Sequence, residues 1–153
     1  MRMKIGRVSK PVFMPIYGLA FSSVDEAAVL TGVPKAEIMN ICIGEGSEDT
    51  RYSFEFICPD EFNSSEMQVL PAAVKLACEP VTILTYEGEQ LEYHGVFHAA
   101  EALKDMGLCF TVVDIIAAIM NKWKSVGYID PVTCVHEEIG VKVRDDLWKT
   151  WEV

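Results

Sequence analysis

The chain is short of positive charge. Its 153 residues hold 13 lysines and arginines against 23 aspartates and glutamates, a formal net charge of -10. Nucleic-acid binding draws most of its affinity from phosphate neutralisation by a basic face, so these totals weigh against a chain that binds DNA over a broad surface. Only the first ten residues run the other way, with Arg2, Lys4, Arg7 and Lys10 and no acid. Apolar runs long enough to span a bilayer are lacking: the richest, Val112 to Met120, is short and contains Asp114. No signal-type apolar run follows the basic start, because Pro11, Pro15 and Gly18 interrupt it. The expectation is a soluble cytoplasmic protein with no membrane partner. Cys42, Cys58, Cys78, Cys109 and Cys134 are odd in number and form no Cys-x-x-Cys pair. All but Cys58 lie among apolar neighbours, which predicts buried free thiols in a reducing compartment. Histidine is limited to His94, His98 and His136, which restricts acid–base and metal chemistry.

What is present is ordinary globular composition, 50% hydrophobic and 24% charged, enough for a single compact domain over residues 1–153 without disulfide staples. "PVFMPIY" reads as a short strand whose Pro11 and Pro15 suggest a sheet edge. Ser23 is a good helix N-cap, and Glu26 three residues on completes a capping box. Val24, Ala27, Ala28 and Leu30 form one apolar stripe. Gly32 suits a left-handed helix end, and Pro34 the first position of a second helix. Ile38, Ile41 and Cys42 line that helix's inner face, and Gly44 and Gly46 stop it. Tyr52, Phe54 and Phe56 alternate with polar residues as in a strand.

A similar order returns about seventy residues later. "PVFMPIYG" recurs as "PVTILTYEG" and "SVDEAAVLTGV" as "GVFHAAEALKDMGL". Thr111 and Asp114 then start another helix, and "PVTCVHE" offers a closing strand. The predicted class is therefore α+β: two related strand-helix-turn-helix-strand units, residues 10–56 and 79–139, joined by a helical connector at 63–78. Ser65 with Gln68 looks like a cap in that connector, and Pro71 a kink or a new start. The tail offers a short strand at Val141 to Val143 and then Trp148 and Trp151 three residues apart. The helix from Phe110 to Trp123 is apolar on nearly every side, so it must be buried, either in the fold or across a homodimer.

The residues Phe21, Ser23, Glu26, Ala27, Ala28, Gly32, Val33, Ile38, Tyr52 and Phe54 carry a further signal. Their order resembles the modular DNA-binding repeat that stands beside the catalytic domains of HNH and GIY-YIG homing endonucleases. In the second copy only Val96, Ala99, Ala100, Leu103 and Gly107 match. The resemblance implies a helix-turn-helix-like, non-catalytic accessory module. Lys35 and Asn40 would then face the groove, and Arg2, Lys4, Arg7 and Lys10 would follow the phosphates. Glu37 opposes this, and the apolar second helix of the later copy cannot read DNA.

Catalytic patterns are thin. His94 and His98, near Glu92 and Glu101, supply two metal ligands with no clear third; the plainer reading is a surface pair. Cys134, His136 and Glu138 alternate on one strand face, short of a built nucleophilic site; a half-buried strand explains them. Gly44-Glu45-Gly46 lacks the lysine and order of a phosphate loop. The acids Glu45, Glu48 and Asp49, and Glu87, Glu89 and Glu92, sit on loops without calcium-loop spacing. They read as solvated charge, or as a docking face for a basic partner. The leading expectation is a small, acidic, non-catalytic binding or regulatory protein of phage or mobile-element type. It needs no cofactor or metal and acts on a protein partner such as a host nucleic-acid-binding protein. The alternatives are a sequence-tolerant DNA-binding module with a basic N-terminal arm and, less favoured, a hydrolase or metal-dependent enzyme.

Overall fold

The computed structural model describes residues 10–44, 52–85, 87–129 and 135–143. The protein is mixed α+β with antiparallel sheets. It divides into two compact units, Met1–Leu70 and Pro71–Val153.

In the first unit, β1 (Val12–Met14) and β2 (Leu19–Phe21) form a hairpin across Pro15 to Gly18. Gly18 adopts φ 70° there, and its N–H donates to the Met14 carbonyl at 2.9 Å. Residues Val24–Thr31 form α1, Lys35–Cys42 form α2 and Glu55–Phe56 form β3. The sheet order is β2-β1-β3, with Val12 opposite both Phe21 and Phe56. This corrects the expectation of an edge strand at "PVFMPIY": β1 is central. Its two prolines flank the ladder, so neither removes a strand hydrogen bond, and the Pro11 carbonyl accepts from the Ile57 N–H at 3.1 Å. Tyr52 and Phe54 are buried ahead of β3 and stack edge-to-face at 6.3 Å, so the aromatic alternation packs the core more than it extends the strand.

The start of α1 differs from a simple capping box. Ser23 Oγ accepts from the Glu26 N–H at 3.1 Å, but the Glu26 carboxylate reaches one residue further back, to the Ser22 N–H at 3.0 Å and hydroxyl at 2.7 Å. Gly32 ends the helix at φ 77°. Pro34 is the N-cap of α2, one position earlier than its expected place. A helix that was not expected, α3 (Pro59–Ser64), lies mostly ahead of the expected connector at 63–78; the connector holds one helix, α4 (Val69–Leu76), within which the division between units falls. Ser65 is not a helix N-cap. It ends α3, and its hydroxyl accepts from the Met67 N–H at 3.1 Å. Pro71 lies in the first turn of α4, where a missing N–H is harmless.

The second unit opens with the hairpin of β4 (Val81–Leu84) and β5 (Gln90–Tyr93). Then come α5 (Val96–Asp105), α6 (Val112–Met120), β6 (Ser125–Ile129) and β7 (His136–Lys142). The sheet order is β5-β4-β7-β6. β6 was missed in the sequence. β7 is one strand where two pieces were expected, because Gly140 continues the ladder opposite Leu84 and Ser125. Every residue of α6 is buried within the chain, so its apolar perimeter needs no second copy. Each isoleucine so covered contributes on the order of 2 kcal/mol. The helix starts where the Asp114 carboxylate accepts from the Thr111 N–H at 2.7 Å and its hydroxyl at 3.3 Å. The segments at residues 131–134 and 144–153, including Trp148 and Trp151, lie outside the described residues.

Gly95 is the N-cap of α5, at the position Ser23 holds in α1. A Cβ on Gly95 would overlap the carbonyl oxygen of Ala77. Gly95→Ala should therefore lower stability by about 2–3 kcal/mol through forced backbone displacement. Gly95→Ser should lose as much, although serine is the better cap. Urea midpoints of both variants check this; a Gly95→Ser protein as stable as the parent would refute it.

Candidate functional site

The β4–β5 turn is built to hold acids outward. The Thr85 N–H donates to the Glu89 carbonyl at 2.9 Å, the Glu89 N–H to Thr85 Oγ1 at 3.1 Å, and the Gly88 N–H to the Thr85 carbonyl at 2.9 Å, with Gly88 at φ 87°. Glu87 and Glu89 are exposed on this turn. With the start of β7 and the end of α5 they bound a groove of about 630 Å³. Glu87, Glu89, Glu137 and Glu138 line it with His136, and among the described residues no lysine or arginine does. Its apolar lining is Met106, Leu108, Val135 and Ile139, of which Met106 is 47% and Val135 49% exposed. Glu138 is steadied by the Ser125 hydroxyl, which donates to its Oε2 at 2.9 Å. A concave surface of one charge sign concentrates opposite charge beside its low-dielectric walls. A second cavity of about 600 Å³, along the α5–α6 turn, is lined by both Glu101 and Lys104 and has no such sign preference.

Of the acids expected to bind a partner, Glu87 and Glu89 are in the groove. Glu92 is exposed on β5, opposite Thr82, and does not line it. Glu45, Glu48 and Asp49 lie outside the described residues. Glu137 was not singled out, and Glu138 only beside Cys134 and His136. The adjacent acids of "HEE" before an apolar alternation were the available signal. The expected DNA contacts are not gathered into a basic face among the described residues. Lys10 lies over the Phe56 ring at 5.3 Å from its centroid. Lys35 pairs with Asp25 at 2.8 Å. Asn40 is exposed on α2, but Ala36, Met39 and Ile43 share that exposed side, with Ile43 60% exposed. Arg2, Lys4 and Arg7 lie outside the described residues.

The His94–His98 pair has a local structural role. His98 Nδ1 accepts from the His94 N–H at 3.4 Å, the two rings stack at 5.5 Å, and Tyr93 meets the His98 ring edge-on at 5.3 Å. His98 stands three residues after the cap of α5 and reaches the residue before the cap, as Glu26 does in α1. Among the described residues no group of three His, Cys, Asp or Glu side chains could hold a metal ion. Cys134, the proposed partner of His136, lies outside the described residues.

The thiols correct the expectation of burial. Cys78 and Cys109 are exposed and Cys42 is half-buried; Cys58, the one without apolar neighbours, is exposed too, and none of the four is in a disulfide. The apolar sequence neighbours of Cys42, Cys78 and Cys109 turn inward while these side chains do not. Hydrogen bonds from the Cys58 thiol and N–H hold Glu61 below the usual carboxylate range. Burial pushes the Tyr128 phenol up, with the Cys109 N–H, donating at 2.9 Å, pulling the other way. Burial, with the nearby Glu55 carboxylate, pushes the Cys42 thiol up to about 11.

No family model, curated protein or solved structure matches this chain.

The thiolate is the reactive form. From an ordinary value of 9.0 to about 11, Cys42 holds roughly a hundredfold less thiolate at pH 8 than an ordinary cysteine. Alkylation of the folded protein, read peptide by peptide by mass spectrometry, should modify Cys58, Cys78 and Cys109 well before Cys42. Equal rates at the four sites would contradict this.

Proposed function

We propose that the chain is a non-catalytic binding protein whose acidic groove docks a basic, partly apolar segment of a protein partner. The observation that carries this reading is the four glutamates around an apolar floor, with no lysine or arginine beside them among the described residues. Lysine or arginine side chains would meet the rim, and an aliphatic side chain between them would cover Met106, Leu108 and Val135. The net charge of -10 steers such a partner inward. Nucleic-acid-binding proteins carry basic segments of this kind, which is the basis for naming one as the partner. The exposed thiols of Cys58, Cys78 and Cys109, none in a disulfide, fit a reducing compartment, and a cytoplasmic protein is part of this proposal. Among the described residues no helix is long and apolar enough to cross a membrane.

A duplicated helix-turn-helix-like module is the origin we favour. Each unit runs hairpin, helix, glycine turn, helix and returning strand, and in each the first strand lies between the second and a later one. This supports the resemblance to the nuclease-associated repeat and a phage or mobile-element source. It also supports a second reading, a DNA-binding module, because α1, Gly32 and α2 have capped helix-turn-helix form. The Lys35–Asp25 pair is exposed and would cost at most about 1 kcal/mol to break, so it does not decide. The apolar outward side of α2 weighs more, since Met39 and Ile43 offer phosphate nothing.

The test is titration of the whole chain with a peptide of alternating arginine and leucine, by anisotropy across a salt series. Each rim ion pair is worth roughly 0.2–1 kcal/mol, so Glu87→Lys with Glu137→Lys should weaken binding about tenfold and flatten its salt dependence. Glu92→Lys, outside the groove, should change little. A labelled DNA duplex bound in preference to the peptide would favour the second reading. Peptide affinity unmoved by the groove substitutions would overturn the first.

A further inference from the structure

Among the described residues, three of the four sheet edges are guarded. On β2, the Ala20 N–H already donates to the Met67 carbonyl at 2.9 Å, and Ala20 bridges Gln68. β3 is two residues long and carries Glu55, and β5 carries an exposed Glu92. Covering segments, shortness and charge are the means by which folded proteins prevent edge-to-edge pairing. Among the described residues, β6 has none of them. Its five residues, "SVGYI", contain no charge and no proline. It pairs with β7 on one side, and among the described residues no strand or bridge lies on the other.

The ladder shows which groups that edge presents. The Val141 N–H donates to the Lys124 carbonyl at 2.9 Å, and Ser125 stands opposite Gly140. Hydrogen-bonded and non-bonded pairs alternate in an antiparallel ladder. Val126 and Tyr128 therefore direct their main-chain groups to β7, while Ser125, Gly127 and Ile129 direct theirs away from it.

We propose that β6 pairs antiparallel with β6 of a second copy, about a twofold axis at Gly127, continuing one sheet through a dimer. The strand is self-complementary in that register. Gly127 meets Gly127 of the second copy, and Ser125 meets Ile129, each pair exchanging N–H and carbonyl groups. Val126 lies opposite Tyr128, a β-branched–aromatic cross-strand pair. No side chain of the strand brings charge to the axis, which matters for a chain with a net charge of -10. Two such chains would repel along any other edge that carries glutamate. The glycine at the axis is also required within its own sheet, since a Cβ there would come 2.8 Å from the Glu137 carbonyl oxygen. Backbone pairing alone makes a small interface. Ile129, 67% exposed, and Trp123, 37% exposed and two residues before Ser125, add apolar area at each end. In this register the Ile129 of one copy approaches the Trp123 end of the other. This dimer does not use α6, whose residues are all buried within one chain.

Sedimentation velocity of the full chain over a concentration series, with residue-resolved amide exchange, tests the proposal. The expected result is a monomer–dimer equilibrium. The Ser125, Gly127 and Ile129 amides should slow as the dimer fills, while those of Val126 and Tyr128 stay protected at every concentration. Ile129→Lys places charge in the edge and should weaken association roughly tenfold or more. Ser125→Pro removes an outward N–H, keeps the main-chain bonds to β7 while losing the hydroxyl bond to Glu138, and should do the same. Thermal melts of both variants at monomer concentrations establish that each still folds. A chain that stays monomeric at every concentration overturns the proposal. So does a dimer whose affinity neither substitution changes.

Discussion

A helix with no polar side must be enclosed on every side, and α6 imposes that requirement on the second unit. Val112 to Met120 are all buried. The helix packs on α5, β6 and β7, which places those elements around a common axis. Asp114 is the one charged residue within it, and its position in the first turn explains how a carboxylate tolerates full burial. It accepts the Thr111 N–H and hydroxyl at an end where helix amides otherwise lack partners. The acidic groove is formed at the margin of this enclosure, where the end of α5 and the start of β7 leave Met106, Leu108 and Val135 less than fully covered.

The two units solve the same local problem with different chemistry. In both, the side chain three residues into the first helix reaches back to the amide before the cap: Glu26 to Ser22, and His98 to His94. A carboxylate is a full-time acceptor. Imidazole accepts only through its unprotonated nitrogen, so the second helix start depends on a tautomer while the first does not. The cap residues differ as well, since Ser23 has room for its side chain and Gly95 faces the Ala77 carbonyl. The similar backbone plan thus coexists with different surfaces, one helix pair with an exposed apolar ridge and the other with an acid-walled groove.

Much of the fold was legible because its signals are local. Ser23 with Glu26, Gly32 at a left-handed helix end, and Thr111 with Asp114 each mark a boundary through hydrogen bonds among a few neighbouring residues. α1 and α6 were found where those signals were found, whereas Ser65 with Gln68 misled and α3, which starts after Cys58, was not expected. What escaped depends on distant partners. β2 is three residues long, too short for a period, and is a strand only because Val12 to Met14 lies beside it. β6 contains Gly127, which lowers its apparent strand propensity, and the glycine is explained only by Glu137 across the ladder. Cysteine exposure failed for the same reason: apolar neighbours in sequence do not say which way a side chain turns. Half of the groove was visible in Glu87 and Glu89. The other half, Glu137 and Glu138, comes to it through the pairing of β4 with β7 over some fifty residues of chain.

The stretch of chain that looks like a module and the stretch that can fold as one have different lengths. The sequence resemblance closes at Phe56, with the aromatic strand. Yet the wholly buried strand "LAF" of β2 has its outer edge satisfied by Met67 and Gln68, beyond α3. The end of the motif and the closure of its sheet therefore fall at different points along the chain. A copy transplanted at the boundaries of the motif would arrive with an apolar strand edge open. Its host would have to supply, from unrelated sequence, a segment able to lie where residues 67 and 68 lie here.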